Sequence, residues 1–265
     1  LTYKHIIEKG IGTQLLVEGY VLANKTKVYV KKLICVQDFK IKLYNNLPIS
    51  LDEKWFINGT INHSNNNKVM FNSLAELKVV VDKCIKCSIS SVTPKKAIGK
   101  GSLKPKILFI GEGEGRTESI NGIVFSGQAG QLLNQWIAYL GLGKEDYAVT
   151  NVIRCRACAG GQDRRPTQEE IKNCFPFLKE TIRLLNPKLI VVLGDTAFKT
   201  ILPNITEKIS SCAGSFCLTA KGNPVFVLMH PAYFMRNANL NWKPYLEELK
   251  TSLPKYLSLE VQDEN

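Results

Sequence analysis

Beyond residue 105 the chain alternates short, wholly apolar runs with longer amphipathic ones. Residues 106–110, 147–154, 189–193 and 224–229 read as strands, and 127–140, 167–185, 195–201 and 242–252 carry apolar positions at helical spacing. Strands apolar at every position must be covered on both faces. The alternation therefore predicts an α/β fold, a central parallel four-stranded sheet flanked by helices. Pro166-Thr-Gln-Glu-Glu170 has the form of a capping box opening the second helix. The first 80 residues have another rhythm. Leu15–Leu22 and Lys27–Val36 are rich in β-branched and aromatic residues, and two further short strands are expected near Trp55-Phe-Ile57 and Val69-Met-Phe71, around a turn at Asn62–Asn67. This predicts a small β-rich domain over 1–80, a barrel or sandwich, ahead of an α/β domain over 81–265. The polar stretch Ser88–Lys104 reads as a loop between them.

Charge changes the picture more than composition does. The net charge of +12 favours a polyanionic partner, with nucleic acid the first candidate and plain solubility the bland alternative. Every arginine lies at or after Arg116, and Arg154, Arg156, Arg164 and Arg165 crowd together. Arginine is suited to forked phosphate contacts. No apolar run is long enough to span a bilayer, so no membrane role is expected. The N-terminal residues lack the order of a secretory signal, which points to the cytoplasm. Eight cysteines in such a setting argue for metal or catalytic chemistry over disulfides. Cys84-Ile-Lys-Cys87, Cys155 and Cys174 suggest a bound metal centre, and Cys158 competes with Cys155 for a place in it. Cys35, Cys212 and Cys217 read as ordinary core or loop residues.

In a parallel sheet the ligand sits at the carboxyl ends of the strands. Those ends carry Gly111–Gly115, Thr150-Asn151, Gly194-Asp195 and His230-Pro231. The glycine loop fails as a dinucleotide fingerprint, since position 116 is Arg where a third spaced glycine is needed, and the phosphate-binding lysine is missing as well; no nucleotide cofactor is expected. His230 at a strand end can donate to developing negative charge, although a lone histidine is often only a satisfied core residue. Asn151 offers a donor and an acceptor together, which suits the edge of a base, although asparagine also ends strands for turn reasons.

Taken in order, six segments resemble the uracil-DNA glycosylase superfamily, most closely its family-four, iron–sulfur branch. They are Cys84-Ile-Lys-Cys87, Gly111-Glu-Gly-Glu-Gly-Arg-Thr-Glu118, Gly122-Ile-Val-Phe-Ser-Gly-Gln-Ala-Gly-Gln-Leu-Leu133, Thr150-Asn-Val-Ile-Arg-Cys155, Pro166-Thr-Gln-Glu-Glu170 with Cys174, and His230-Pro-Ala-Tyr-Phe-Met-Arg236. Each alone is common; six in the family's order are specific. The resemblance implies that Cys84, Cys87, Cys155 and Cys174 hold a 4Fe–4S cluster and that Phe125 stacks on a flipped-out base. It implies that Asn151 reads the pyrimidine edge and that His230 bonds the base carbonyl as the glycosidic bond breaks. Glu112, Gly113 and Glu118 match positions near the base and water, and Tyr233, Phe234 and Met235 match the loop that wedges into the duplex. Arg154, Arg156, Arg164, Arg165 and Arg236 complete the expected DNA contacts.

The implied activity is that of a monofunctional glycosylase. It extrudes uracil from single- or double-stranded DNA and leaves an abasic site, with a monomer as the expected state. The chain departs from the family at three points: Glu114 stands where the first motif usually has proline, the Cys155–Pro166 stretch is longer and poorer in proline, and residues 1–80 are added. These departures open an alternative reading beside uracil, removal of a different, modified pyrimidine, as in modified viral DNA. A non-catalytic DNA-binding protein of the same fold and a zinc module held by the same cysteines are the readings from other classes.

Overall fold

The computed structural model describes residues 71–220 and 222–258 throughout, and of residues 1–70 only four strands. The chain divides into two compact units. One is Leu1–Asn65 with Leu202–Thr206 and Ala220–Gly222; the other is the remainder.

In the first unit, β1 (Thr2–Lys9), β2 (Thr13–Val21), β3 (Lys27–Cys35) and β4 (Leu47–Ser50) form an antiparallel sheet in chain order. The register of β2 on β3 shifts at Glu18/Gly19. Strands β2 and β3 fall on the two runs read from sequence, while β1 and β4 were not foreseen. The strand expected at Trp55–Ile57, the turn at Asn62–Asn67 and Val69-Met70 lie outside the described residues, and Phe71 is in loop.

In the second unit, helix α1 (Leu74–Asp82) runs through the boundary expected at residue 80. Ser73 caps it by accepting from the Glu76 amide, and Leu77 and Val81 bury against Phe177. This places residues 71–80 with the α/β unit. The polar stretch that follows is also less loose than its composition suggests. It holds a single 3-10 turn (Ser88–Ser90) and β5 (Lys100–Gly101), an antiparallel edge strand. Gly101 has φ +107, and a Cβ there would stand 2.5 Å from the Tyr147 carbonyl.

The parallel strands are β6 (Ile107–Gly111), β7 (Tyr147–Asn151), β10 (Leu189–Leu193) and β12 (Pro224–Leu228). With β11 (Ser215–Leu218) at the far edge, the order is β11-β12-β10-β6-β7-β5. The expected four parallel strands thus form the centre of a six-stranded mixed sheet. Helices α2 (Arg116–Asn121) and α3 (Gln128–Leu140) join β6 to β7. The small hairpin of β8 (Cys158–Ala159) and β9 (Gln162–Asp163), then α4 (Gln168–Leu185), lead to β10. Helices α5 (Asp195–Ile201) and α6 (Ile209–Cys212) precede β11, and α7 (Pro231–Arg236) and α8 (Glu247–Leu257) follow β12. The Thr167/Glu170 capping box opens α4 as its sequence indicates.

Every residue of β6 and β10 is buried, which is why these strands read as unbroken apolar runs. The chain leaves β6 toward β7 on one side and returns to β10 on the other. The order therefore reverses at β6, and the loops there part to open a crevice. Register lines up the ends: Gly111 faces Asn151, and Leu193 faces Leu228.

Candidate active site at the carboxyl ends of the parallel strands

Gly111 is where the site closes. A Cβ at that position would lie 2.4 Å from Asn151 Oδ1 and 2.6 Å from Phe125 Cζ. Only a bare backbone lets the carboxamide and the aromatic ring converge there. Phe125 itself takes φ +50, a left-handed conformation that a bulky side chain adopts under constraint. Two contacts hold it. Lys100 Nζ donates to the Phe125 carbonyl at 2.9 Å, and Gly130 in the first turn of α3 packs against the same carbonyl, where a Cβ would stand 1.8 Å away. The Phe125 and His230 rings lie with centroids 5.8 Å apart at 30°.

His230 caps α7. Its Nδ1 accepts from the Ala232 amide at 3.2 Å, so the ring proton sits on Nε2, the free nitrogen. Burial, with Arg236 as a lesser cause, lowers its pKa to about 4. The imidazole is therefore neutral at physiological pH and presents a donor. Gly194, at φ +90 beyond β10, leaves room for its Cβ at 3.0 Å.

Asn151 ends β7 with 1% of its surface exposed. Its Nδ2 donates to Glu114 Oε1 at 2.9 Å, and Oδ1 has no protein partner. Glu114 is buried too, and desolvation chiefly lifts its pKa to about 8. Glu112 accepts from the Thr196 hydroxyl at the start of α5. Glu118 is buried and accepts from the Gly127 amide at 2.7 Å, so one of its oxygens braces the α3 N-terminus. A Cβ on Gly113 would meet Ile153 at 2.6 Å, so this glycine seats the loop against the segment after β7.

Two expectations for DNA contact are overturned. Arg154 is 1% exposed and all its bonds turn inward. Nη1 donates to the Ile98 and Asn151 carbonyls, both at 3.0 Å, and to the Thr150 hydroxyl; Nη2 donates to Thr181 Oγ1 at 2.8 Å. A guanidinium so enclosed cannot reach a phosphate. Phe234 is 3% exposed, edge-on to Trp136 at 5.6 Å and to Tyr245 at 5.3 Å, so it is core and does not project as a wedge. Its neighbours differ: Met235 and Arg236 are exposed and Tyr233 half-buried. Arg156 is held by Asp163 and the Gly161 carbonyl, and Arg164 grips Glu170 with two bonds. Arg165, with a side chain 77% exposed, has a single long bond to Asp195. Glycines 160 and 161, both at positive φ, turn the β8/β9 hairpin that displays this segment.

The four singled-out cysteines lie close enough to influence one another, next to Arg154. Cys84 and Cys174 both flank the Leu77–Val81–Phe177 cluster, and Cys174 Sγ accepts from the Arg154 amide at 3.2 Å. Burial raises the thiols of Cys87, Cys155 and Cys174. Cys84 adds to the rise at Cys87; Cys174 and Cys87 add to it at Cys155, which reaches about 12; Cys84 and Cys87 add to it at Cys174. Cys158 sits in β8 and acts on Arg164 instead. Among the described residues, no three His, Cys, Asp or Glu side chains stand in metal-ligand geometry, and no cysteine is in a disulfide.

An α/β fold with its chemistry gathered at a reversed sheet crevice defines a class, and the relatives make the family definite. Residues 98–251, more than half of the chain, match the Uracil DNA glycosylase superfamily, and the protein belongs to it. The chain is 34% identical over 157 residues to the type-4 uracil-DNA glycosylase of Thermotoga maritima, covering 59% of this chain and 80% of that one. It is 35% identical over 183 residues to the type-4 enzyme of Sulfurisphaera tokodaii, covering 66% and 81%. With that of Pyrobaculum aerophilum it shares 30% over 174 residues, 63% and 87%. It is accordingly a hydrolase of N-glycosyl bonds. Among the described residues no helix is long and apolar enough to cross a membrane.

Three participants escaped the sequence reading. Lys100 lies in a stretch read as loop. Gly130 is lost inside an amphipathic helix, and Thr196 sits an element away from the glutamate it serves. The lone glycine inside a helical run was the one available signal.

Proposed function

We propose that the protein flips a pyrimidine, uracil in the first place, out of DNA and hydrolyses its N-glycosidic bond without a covalent enzyme intermediate. The observation that carries this reading is the convergence of Phe125, Asn151 and His230 around Gly111. An extruded base has an aromatic ring to lie against and a carboxamide to read its edge. As the C–N bond lengthens, electrons move onto the base. The Nε2–H of a neutral His230 then stabilises the carbonyl oxygen, an effect of about 3–4 kcal/mol for one placed donor. Glu112, free of Asn151 and fixed by Thr196, orients the water that adds to the sugar carbon. Arg165, Arg236 and Met235, which are exposed, and the half-buried Tyr233 are the groups that meet DNA.

Cys84, Cys87, Cys155 and Cys174 suit a 4Fe–4S cluster. Burial and the neighbouring thiols raise Cys87, Cys155 and Cys174, so these thiols resist ionising unaided, and a cationic iron centre reverses that cost. The cluster would staple α1, the segment after β7 and α4. The test is incubation with oligonucleotides holding a single uracil. Alkali-labile abasic sites are expected, and their absence with uracil and with every modified pyrimidine would sink the reading.

A further inference from the structure

Glu114 is the feature that the mechanism leaves unused. Asn151 and Glu114 are 1% and 4% exposed and are joined by the Nδ2–Oε1 bond of 2.9 Å. Each partner of that bond also keeps one buried oxygen without a partner, Asn151 Oδ1 and Glu114 Oε2. A buried oxygen left without a partner is costly, so the pair is built to be completed by a ligand. Oδ1 lies over Gly111 beside the Phe125 ring, which is where a base would stack.

We propose that Glu114 makes this pocket competent for pyrimidines with a 4-amino group, the cytosine class, by pairing its carboxylic acid with Asn151 across the N3–C4 edge. The proposal rests on the glycosylase reading above. An asparagine amide alone opposes cytosine twice, with its N–H toward the amino group and its oxygen toward bare N3. Asn151 Oδ1 instead accepts from the amino group, and Glu114 Oε2–H donates to N3.

The chemistry of departure fixes that assignment. Uracil leaves as an anion spread over two carbonyls and needs no acid at N3. A 4-aminopyrimidine anion is far more basic and leaves as the neutral base. In the step proposed, the C–N bond breaks with its electron pair passing to the ring while the Glu114 proton moves to N3. Water adds to the sugar carbon, its proton going to Glu112 and then to solvent, from which Glu114 is reprotonated. The environment keeps that acid protonated. Desolvation and, less, Glu118 hold the proton on, against the hydrogen bond from Asn151 and the charges of Arg154 and Lys100.

The full chain would be assayed on oligonucleotides bearing one uracil, cytosine, 5-methylcytosine or 5-hydroxymethylcytosine. Release of at least one 4-amino base is expected. The ratio of its kcat/KM to that for uracil should fall at least 10-fold in Glu114→Gln, which keeps the shape and has no acid proton. In the unaltered protein the same ratio should fall as pH rises past about 8, which needs no variant to fold. Uracil release with no 4-amino base released overturns the proposal and spares the glycosylase reading, as does a ratio unmoved by both tests. Inertness toward every base overturns both.

Discussion

At the scale of single residues, burial without full pairing marks the groups that matter. His230 and Glu114 are both held neutral by desolvation, with opposite consequences for pH. The unfolded histidine takes up a proton near pH 6.5 and the folded one only near 4. Its contribution to stability is whole above 6.5 and is lost as pH falls through that window. For catalysis the same shift means that His230 remains a neutral donor at pH 5. Excision should persist there, and His230→Ala should lower kcat roughly 100- to 1000-fold at pH 5 and pH 7 alike. Glu114 runs the other way. Between about 4.5 and 8 the unfolded carboxyl is ionised while the folded one keeps its proton, so stability falls as pH rises. Glu114→Gln should therefore gain on the unaltered protein by about 1.4 kcal/mol per pH unit as an upper limit across that window, read as Tm at pH 5 and pH 8.

At the scale of elements, what could be read in advance depended on whether the signal was local. The four parallel strands are continuous apolar runs, and the α4 start is a capping box within four residues, so both were legible. The edge strand β5 has only two residues and exists because Tyr147 offers a carbonyl. Helix α1 is short and was masked by a neighbouring stretch of strand-forming residues. Of the site, Asn151, Phe125 and His230 stood out by their places in motifs. The inward turn of Arg154 did not, because an arginine's surroundings are assembled from Ile98, Thr150 and Thr181, far apart in the chain. The same holds for Phe234, whose partners Trp136 and Tyr245 come from other elements. Helix α3 carries a sharp test. Gly130→Ala would drive a Cβ into the Phe125 carbonyl at 1.8 Å. Loss of uracil excision together with a Tm lowered by several degrees is expected, in contrast to Gly141→Ala, whose Cβ has open space and whose φ of +72 alone costs about 1–2 kcal/mol.

At the scale of the whole molecule, the net charge of +12 is carried to the site by few groups. Arg154 is interior and Arg156 and Arg164 are held in ion pairs, whereas Arg236 is exposed and Arg165, with one long bond to Asp195, is largely so. Replacing both by alanine should weaken DNA binding uniformly across sequences and flatten its dependence on salt by about two units of log–log slope. The cysteine set makes a separable prediction. Cys155→Ala should lower iron content and thermal stability together, while Cys158→Ala should change neither, as measured by metal analysis and calorimetry of anaerobically purified protein.

The guanidinium of Arg154 has one further consequence. Its amide reaches the sulfur of Cys174 and its side chain reaches the carbonyl of Asn151, while the amides of Val152 and Ile153 bond the carbonyls of Gly111 and Glu112. The stretch from 151 to 155 is thus fixed at both ends and along its length. Its residue count is part of its design. In any descendant of this chain, side chains there can be exchanged, but inserting or deleting one residue would part Asn151 from its anchor at Cys174. Length there should drift more slowly than composition.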